Sequence, residues 1–339
     1  VRKCGSALAF AVTPAHFLCP LLSHSRTFAL SHFHTEANDA MDPIDLRGVF
    51  APVTTPFDPV TGDADVVAMR ANLRRWLQAP LAGVVLFGST GEGPLLDEDE
   101  KARLTEAARD VVDGGRLLLA GTGAESTRAT IRATAAVAAA GADGVLVQPP
   151  AYYKPAMTPE ALRDHYLAVA DASPVPVILY QVPPRFSTVE LAPGLVGELA
   201  KHPNIVGIKD SHGDLKALAA LLDAFGRNGQ VLVGSGAVLF GALEIGAVGG
   251  ILAVALLAPR ECAELCQAYA EGRLADAGRI QERLSPLHRA IVADLGVSGM
   301  KAALDELGMH GGPTRPPLKP LRPKDQPKVR DALAAAGLH

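Results

Sequence analysis

Two residues capable of imine chemistry close apolar runs in this chain. Lys209 ends Gly207-Ile208-Lys209-Asp210-Ser211, and Tyr180 ends Leu179-Tyr180-Gln181-Val182-Pro183. A lysine at the end of an apolar strand is either a solvated terminus or an amine held in an apolar mouth. There, desolvation favours the neutral form that attacks a ketone to make a Schiff base. A tyrosine in the same kind of position is either an amphipathic rim residue or a phenol placed to carry a proton. A third segment, Gly88-Ser89-Thr90-Gly91-Glu92-Gly93, joins two hydroxyls to small residues whose backbone N–H groups can approach a carboxylate closely. Its Glu92 suits a helix start or a structural hydrogen bond as well. The loop Pro149 to Pro155 carries Tyr152 and Tyr153, residue types more usual in packing or interfaces than in catalysis.

These residues need a scaffold that gathers strand ends. From Gly48 onward, short runs rich in Val, Ile and Leu alternate with Ala-rich segments of helical period. Eight runs are expected as strands: Val49 to Thr55, Gly83 to Ser89, Arg116 to Thr122, Gly144 to Pro149, Val175 to Val182, Ile205 to Asp210, Val231 to Ser235 and Gly250 to Ala255. Helices are expected between them, including Asp97 to Asp113, Ser126 to Ala140, Pro159 to Ala172 and Leu215 to Phe225. This succession predicts an α/β fold, a (β/α)8 TIM barrel over residues 41–258, with chemistry at the C-terminal ends of its strands. No Gly-rich dinucleotide fingerprint follows the first strand, which disfavours an open sheet. Arg260 to Gly272, Ala275 to Leu295, Lys301 to Leu307 and Lys324 to Ala336 predict a C-terminal helical appendage over residues 259–339.

A net charge of -4 gives no footing for nucleic-acid binding. Cys4, Cys19, Cys262 and Cys266 form neither a zinc motif nor a disulfide framework. Residues 1–40 are acidic-poor, with scattered Ser and His, and are expected to lie outside the fold. They read as an over-extended start before Met41, a transit peptide or a short signal, so the expected location is cytoplasmic, with mitochondrial as the alternative. Pro14, His16 and Pro20 interrupt any membrane span.

Together the segments resemble the pyruvate-dependent aldolase family that includes dihydrodipicolinate synthase, N-acetylneuraminate lyase and 4-hydroxy-2-oxoglutarate aldolase. The likeness covers about Gly48 to Leu318 and is specific in its combination of the Ser89, Tyr152-Tyr153, Tyr180 and Lys209 motifs. It implies a barrel assembled as a homotetramer, a dimer of dimers, acting on a small 2-oxo acid, pyruvate, without metal or organic cofactor. By the same resemblance Lys209 forms the Schiff base and Tyr180 is the acid/base group. Ser89 and Tyr153 would complete its proton relay, Tyr153 reaching in from a neighbouring subunit. Thr90, Ser211 and Ile251 would meet the substrate, Thr90 with its adjacent backbone holding the pyruvate carboxylate.

Within the family, several details resemble 4-hydroxy-2-oxoglutarate aldolase, which releases pyruvate and glyoxylate. They are Asp210-Ser211 where the synthases usually carry Glu-Ala, the Gly-Ser start and Gly93-Pro94-Leu95-Leu96 continuation of the second-strand loop, Leu118 to Thr127, and Gly311-Gly312-Pro313. Arg185 instead matches the arginine with which the synthase grips a second carboxylate, although Ser187 replaces the usual glycine beyond it and Phe186 stands beside it. As a buried fork Arg185 would suit any dicarboxylate; its other reading is a surface loop arginine. The alternatives are therefore a 4-hydroxy-tetrahydrodipicolinate synthase joining pyruvate to aspartate semialdehyde, and a non-catalytic 2-oxo-acid-binding regulatory barrel.

Overall fold

The computed structural model describes residues 44–226 and 229–338. The expectations placed on residues 1–40 lie outside them. Eight parallel strands close into a barrel in chain order, β1 pairing with both β2 and β8. The strands and the helices that follow them are β1 (Gly48–Pro52), α1 (Val66–Trp76), β2 (Gly83–Leu86), α2 (Glu98–Arg109), β3 (Leu117–Gly121), α3 (Thr127–Ala139), β4 (Gly144–Val147) and α4 (Pro159–Ala172). The second half comprises β5 (Val177–Gln181), α5 (Pro193–Leu199), β6 (Ile205–Asp210), α6 (Leu215–Phe225), β7 (Gln230–Val233), α7 (Leu239–Glu244) and β8 (Gly249–Ile251). The expected (β/α)8 barrel is thus the observed fold. Most strands are shorter than their apolar runs, because residues such as Val53 and Ala253 leave the ladder for the loops while remaining buried.

Alternation along the strands divides the core in two. Phe50, Val85, Leu119, Leu146, Ile178, Leu232 and Ile251 fill the barrel interior, with Tyr180 among them. The intervening residues, Val84, Leu118, Val145, Leu179 and Ile208 for example, pack outward beneath the helices. Helix starts follow local chemistry: Asp97 and Glu100 form a capping box on α2, and Asp65, Ser126, Thr158 and Asp214 cap α1, α3, α4 and α6.

The C-terminal appendage is α8 (Pro259–Ala270), α9 (Leu274–Leu287), α10 (Gly296–Glu306) and α11 (Gln326–Ala335). The continuous helix expected to Leu295 changes instead to a π-helical stretch, His288–Leu295. Pro286 lies just before that change and supplies no N–H to the ladder. Gly296 then turns at φ 63, so α10 begins five residues before the expected Lys301.

Candidate active site

Register brings the two reactive residues side by side. Tyr180 of β5 pairs with Lys209 of β6, and Ile178 with Gly207 below them, so the interior face of both strands ends in a phenol and an amine. Both side chains are buried, Lys209 at 6% and Tyr180 at 4% exposure. The lysine Nζ lies 4.4 Å from the centroid of the Tyr180 ring. The phenol oxygen is 3.4 Å from Ser89 Oγ, a hydroxyl pair able to pass a proton either way.

Ser89 and Thr90 are placed by a tight turn after β2. Phe87 and Glu92 adopt left-handed backbone at φ 57 and 56, and a Cβ at Gly93 would meet the Phe87 carbonyl oxygen at 1.9 Å. Only glycine fits at that position. The turn is anchored from the far end of the chain: Glu92 Oε1 is 2.6 Å from Lys301 Nζ of α10, with both side chains essentially inaccessible. Glu92 Oε2 accepts the backbone N–H of Arg315 at 2.8 Å, while the Arg315 guanidinium grips Glu100 through two bonds of 2.6 Å. Lys301 and Arg315 both lie 4.3 Å from the ring of Phe57. Burial pulls the Lys301 ammonium below its usual range, opposed by the Glu92 charge. Glu92 thus ties the turn to the C-terminal helices in this chain.

A cavity of about 410 Å³ opens over Lys209. Ser89, Thr90, Tyr180, Lys209, Ser211, Arg185 and Ile251 all line it, so the structure gathers seven of the eight expected residues. Gly234 makes room for Ser211, whose Oγ would lie 1.9 Å from any Cβ there. Tyr153 is the exception. It is 70% exposed, packs edge-to-face on Tyr152 at 5.1 Å, and does not reach Tyr180 within the chain. Arg185 lines the cavity but is exposed, correcting the picture of a buried fork. Its guanidinium donates to the carbonyls of Ala293 at 3.1 Å and Val292 at 3.4 Å. A second cavity of about 660 Å³ adjoins the first at Ser89, Thr90 and Arg185, and Glu125 and Asp294 lie on its walls.

The π-helical stretch supplies a wall that sequence reasoning missed: His288, Arg289, Val292 and Ala293. His288 Nε2 lies 3.4 Å from Ser235 Oγ, and Nδ1 has no partner among the described residues. Burial, with the charges of Arg185 and Arg289, holds His288 down to about 4, so it is neutral at pH 7. Nothing in the spacing around His288 or Lys301 marks them, because both act across elements far apart in the chain. Among the described residues, none of those lining the 410 Å³ cavity is acidic. No three His, Cys, Asp or Glu side chains gather into a metal-ligating group among the described residues, and none of the described helices is long and apolar enough to cross a membrane. The arrangement can form an imine at Lys209, move protons through Tyr180 and Ser89, and hold anionic groups nearby.

The model of the dihydrodipicolinate synthetase family matches residues 45–336. The 4-hydroxy-tetrahydrodipicolinate synthase of Mesorhizobium japonicum is 36% identical over 86% of this chain and 99% of its own. The synthase of the same name from Pseudomonas aeruginosa is 34% identical over 86% and 99%. Among solved structures, the chloride-inhibited dihydrodipicolinate synthase of Acinetobacter baumannii in complex with pyruvate superposes with a TM-score of 0.82 at 32% identity, covering 87% of this chain and 100% of that one. A prophage protein of the dihydrodipicolinic acid synthase family from E. coli K12, also in complex with pyruvate, superposes with a TM-score of 0.82 at 29% identity over 87% and 99%.

Proposed function

The chain belongs to the dihydrodipicolinate synthetase family and is a lyase of the Schiff-base aldolase type; on that footing we propose that it cleaves 4-hydroxy-2-oxoglutarate to pyruvate and glyoxylate. The charge around the cavity carries this choice. Arg185 and Arg289 line it together with Lys209, and no acidic side chain does so among the described residues. A substrate with a carboxylate at each end and no ammonium matches that lining. Aspartate semialdehyde brings an ammonium that would find no carboxylate on that lining, a costly mismatch when desolvated, since Glu125 and Asp294 line only the adjoining cavity.

In this reading Lys209 Nζ adds to the C2 ketone, and loss of water leaves a protonated imine. Tyr180, with Ser89 behind it, moves the protons at C2 and C3. The imine accepts the electron pair of the C3–C4 bond as that bond breaks, and the resulting enamine takes up a proton at C3 before hydrolysis frees pyruvate. Thr90, its neighbouring backbone and Ser211 hold the pyruvate carboxylate beside Ile251, and Arg185 meets the distal carboxylate. Dimer-of-dimers assembly fits the exposed Tyr152–Tyr153 pair, which would bring Tyr153 to the relay of a neighbouring copy. The names of the relatives favour a second reading, condensation of pyruvate with aspartate semialdehyde.

Pyruvate release from 4-hydroxy-2-oxoglutarate, measured beside pyruvate consumption with aspartate semialdehyde, decides between the two. The proposal expects a higher kcat/KM for the cleavage. The opposite ranking would overturn it.

A further inference from the structure

The loop leaving β6 carries a second titratable pair next to the lysine. Asp210 is 1% exposed, and its Oδ1 lies 2.8 Å from Nδ1 of His212. The same oxygen accepts the His212 backbone N–H at 3.4 Å, and Oδ2 has no hydrogen-bond partner among the described residues. Oδ1 already accepts that backbone N–H, so it accepts from the ring as well: Nδ1 carries the imidazole proton and Nε2 keeps its lone pair. His212 lines the same cavity as Lys209 and Tyr180, with its side chain 20% exposed. Burial holds the Asp210 carboxyl above the usual carboxylate range, and His212 opposes that rise. A proton arriving on the imidazole therefore gains a buried anion as its partner.

Tyr180 and the loop that carries His212 have different neighbours at the rim. The Tyr180 hydroxyl points to Ser89 on the loop after β2. The residue after His212, Gly213, packs on Ser235 after β7, where an added Cβ would meet the serine Oγ at 3.3 Å. An aldol reaction has two oxygen-bearing carbons to serve, the imine carbon C2 and the carbinol carbon C4, two bonds apart. We propose that His212 is the acid/base group for the C4 oxygen, with Asp210 as its positioning residue, while Tyr180 serves C2 and C3.

In the cleavage direction Nε2 takes the C4 hydroxyl proton. The O–H electron pair becomes the second bond of the aldehyde carbonyl, the C3–C4 pair becomes the C2–C3 double bond, and the iminium π pair returns to the Lys209 nitrogen. The imidazolium carries the proton away; in the addition direction it returns that proton to the alkoxide. The step is redox-neutral. It rests on the Schiff-base reading above but not on which aldehyde is used. The other titratable or charged groups around the cavity are Lys209, Tyr180, Arg185, His288 and Arg289, with Asp214 acting on Asp210 through its charge.

Two readouts on the full-length enzyme test the assignment. Exchange of the pyruvate methyl protons in deuterium oxide needs the imine and enamine but no C4 oxygen. Carbon–carbon cleavage of 4-hydroxy-2-oxoglutarate, or condensation with aspartate semialdehyde if that is the reaction run, needs both. His212→Gln should keep exchange within about twofold yet lose about 10²-fold or more in the carbon–carbon step, the usual contribution of a positioned acid/base group. Asp210→Asn should shift the acidic limb of the carbon–carbon pH profile to lower pH, because the imidazolium loses its anionic neighbour. Equal losses in both readouts, or a His212→Gln enzyme with near-normal cleavage, would overturn the assignment. Absence of exchange and of borohydride trapping in the unaltered enzyme would refute the Schiff-base reading, and this proposal with it.

Discussion

Replacing Lys301 with Met should cost roughly 3–5 kcal/mol of stability, the range seen when one partner of a buried ion pair is removed. The Glu92 and Lys301 side chains are 0% and 2% exposed, and their charged atoms are 2.6 Å apart. At an effective dielectric of about 20, that separation corresponds to about 6 kcal/mol of attraction. Lys301 also donates to the Pro313 carbonyl at 2.6 Å and lies over the Phe57 ring, interactions that Met cannot reproduce. The substitution recovers part of this by removing the desolvation of the ammonium, but Glu92 is left buried with only the Arg315 N–H on its other oxygen. Urea unfolding reads the loss directly as a lower midpoint at an unchanged slope. The double variant Lys301→Met, Glu92→Gln should lie within about 1–2 kcal/mol of the unaltered protein, since neither residue then buries a charge. Because Glu92 belongs to the turn that carries Ser89 and Thr90, the single variant should also raise the KM for the 2-oxo acid. A single-variant cost below about 1 kcal/mol, or a double-variant cost equal to the sum of the singles, would refute the idea that the pair anchors this turn.

Lys209→Ala should abolish borohydride trapping by pyruvate while leaving the far-UV circular dichroism unchanged; label recovered on another lysine would reassign the nucleophile. Tyr180→Phe should lower turnover by about 10² to 10⁴ with pyruvate still bound, and near-normal turnover would mean that another group moves the proton. Stability should fall in acid. Burial holds His165 and His288 at about 4 in the folded state, against about 6.5 when unfolded, so below pH 6.5 the unfolded chain binds protons that the folded one refuses. The stabilisation is complete above pH 6.5 and is lost as the pH falls to about 4, at up to about 1.4 kcal/mol per pH unit for each histidine. Urea midpoints at pH 7, 6 and 5 check this, and His165→Gln should roughly halve the slope; a flat profile would contradict it.

The barrel and the reactive pair were legible in the chain for one reason. Short apolar runs and the helical spacing between them are local signals, and closure then brings the C-terminal ends of all the strands to one rim. Lys209 and Tyr180 each end an apolar run, so their juxtaposition follows once β5 and β6 are neighbours. Loop residues were harder to read, because apolar character persists beyond the ladder: Val53 and Ala253 are buried without being strand. Tertiary structure alone decided the rest. The Glu92–Lys301 pair joins residues more than two hundred positions apart, and no local pattern encodes such a separation. His288 and Arg289 reach the cavity because the helix after Pro286 widens to π geometry and turns at Gly296. Arg185, readable from sequence either as a buried fork or as a surface loop arginine, lies exposed against carbonyls of that same stretch. Tyr153 stays on the surface of the single chain, 70% exposed beside Tyr152, and no local pattern in the loop after β4 tells whether a tyrosine there turns inward or outward.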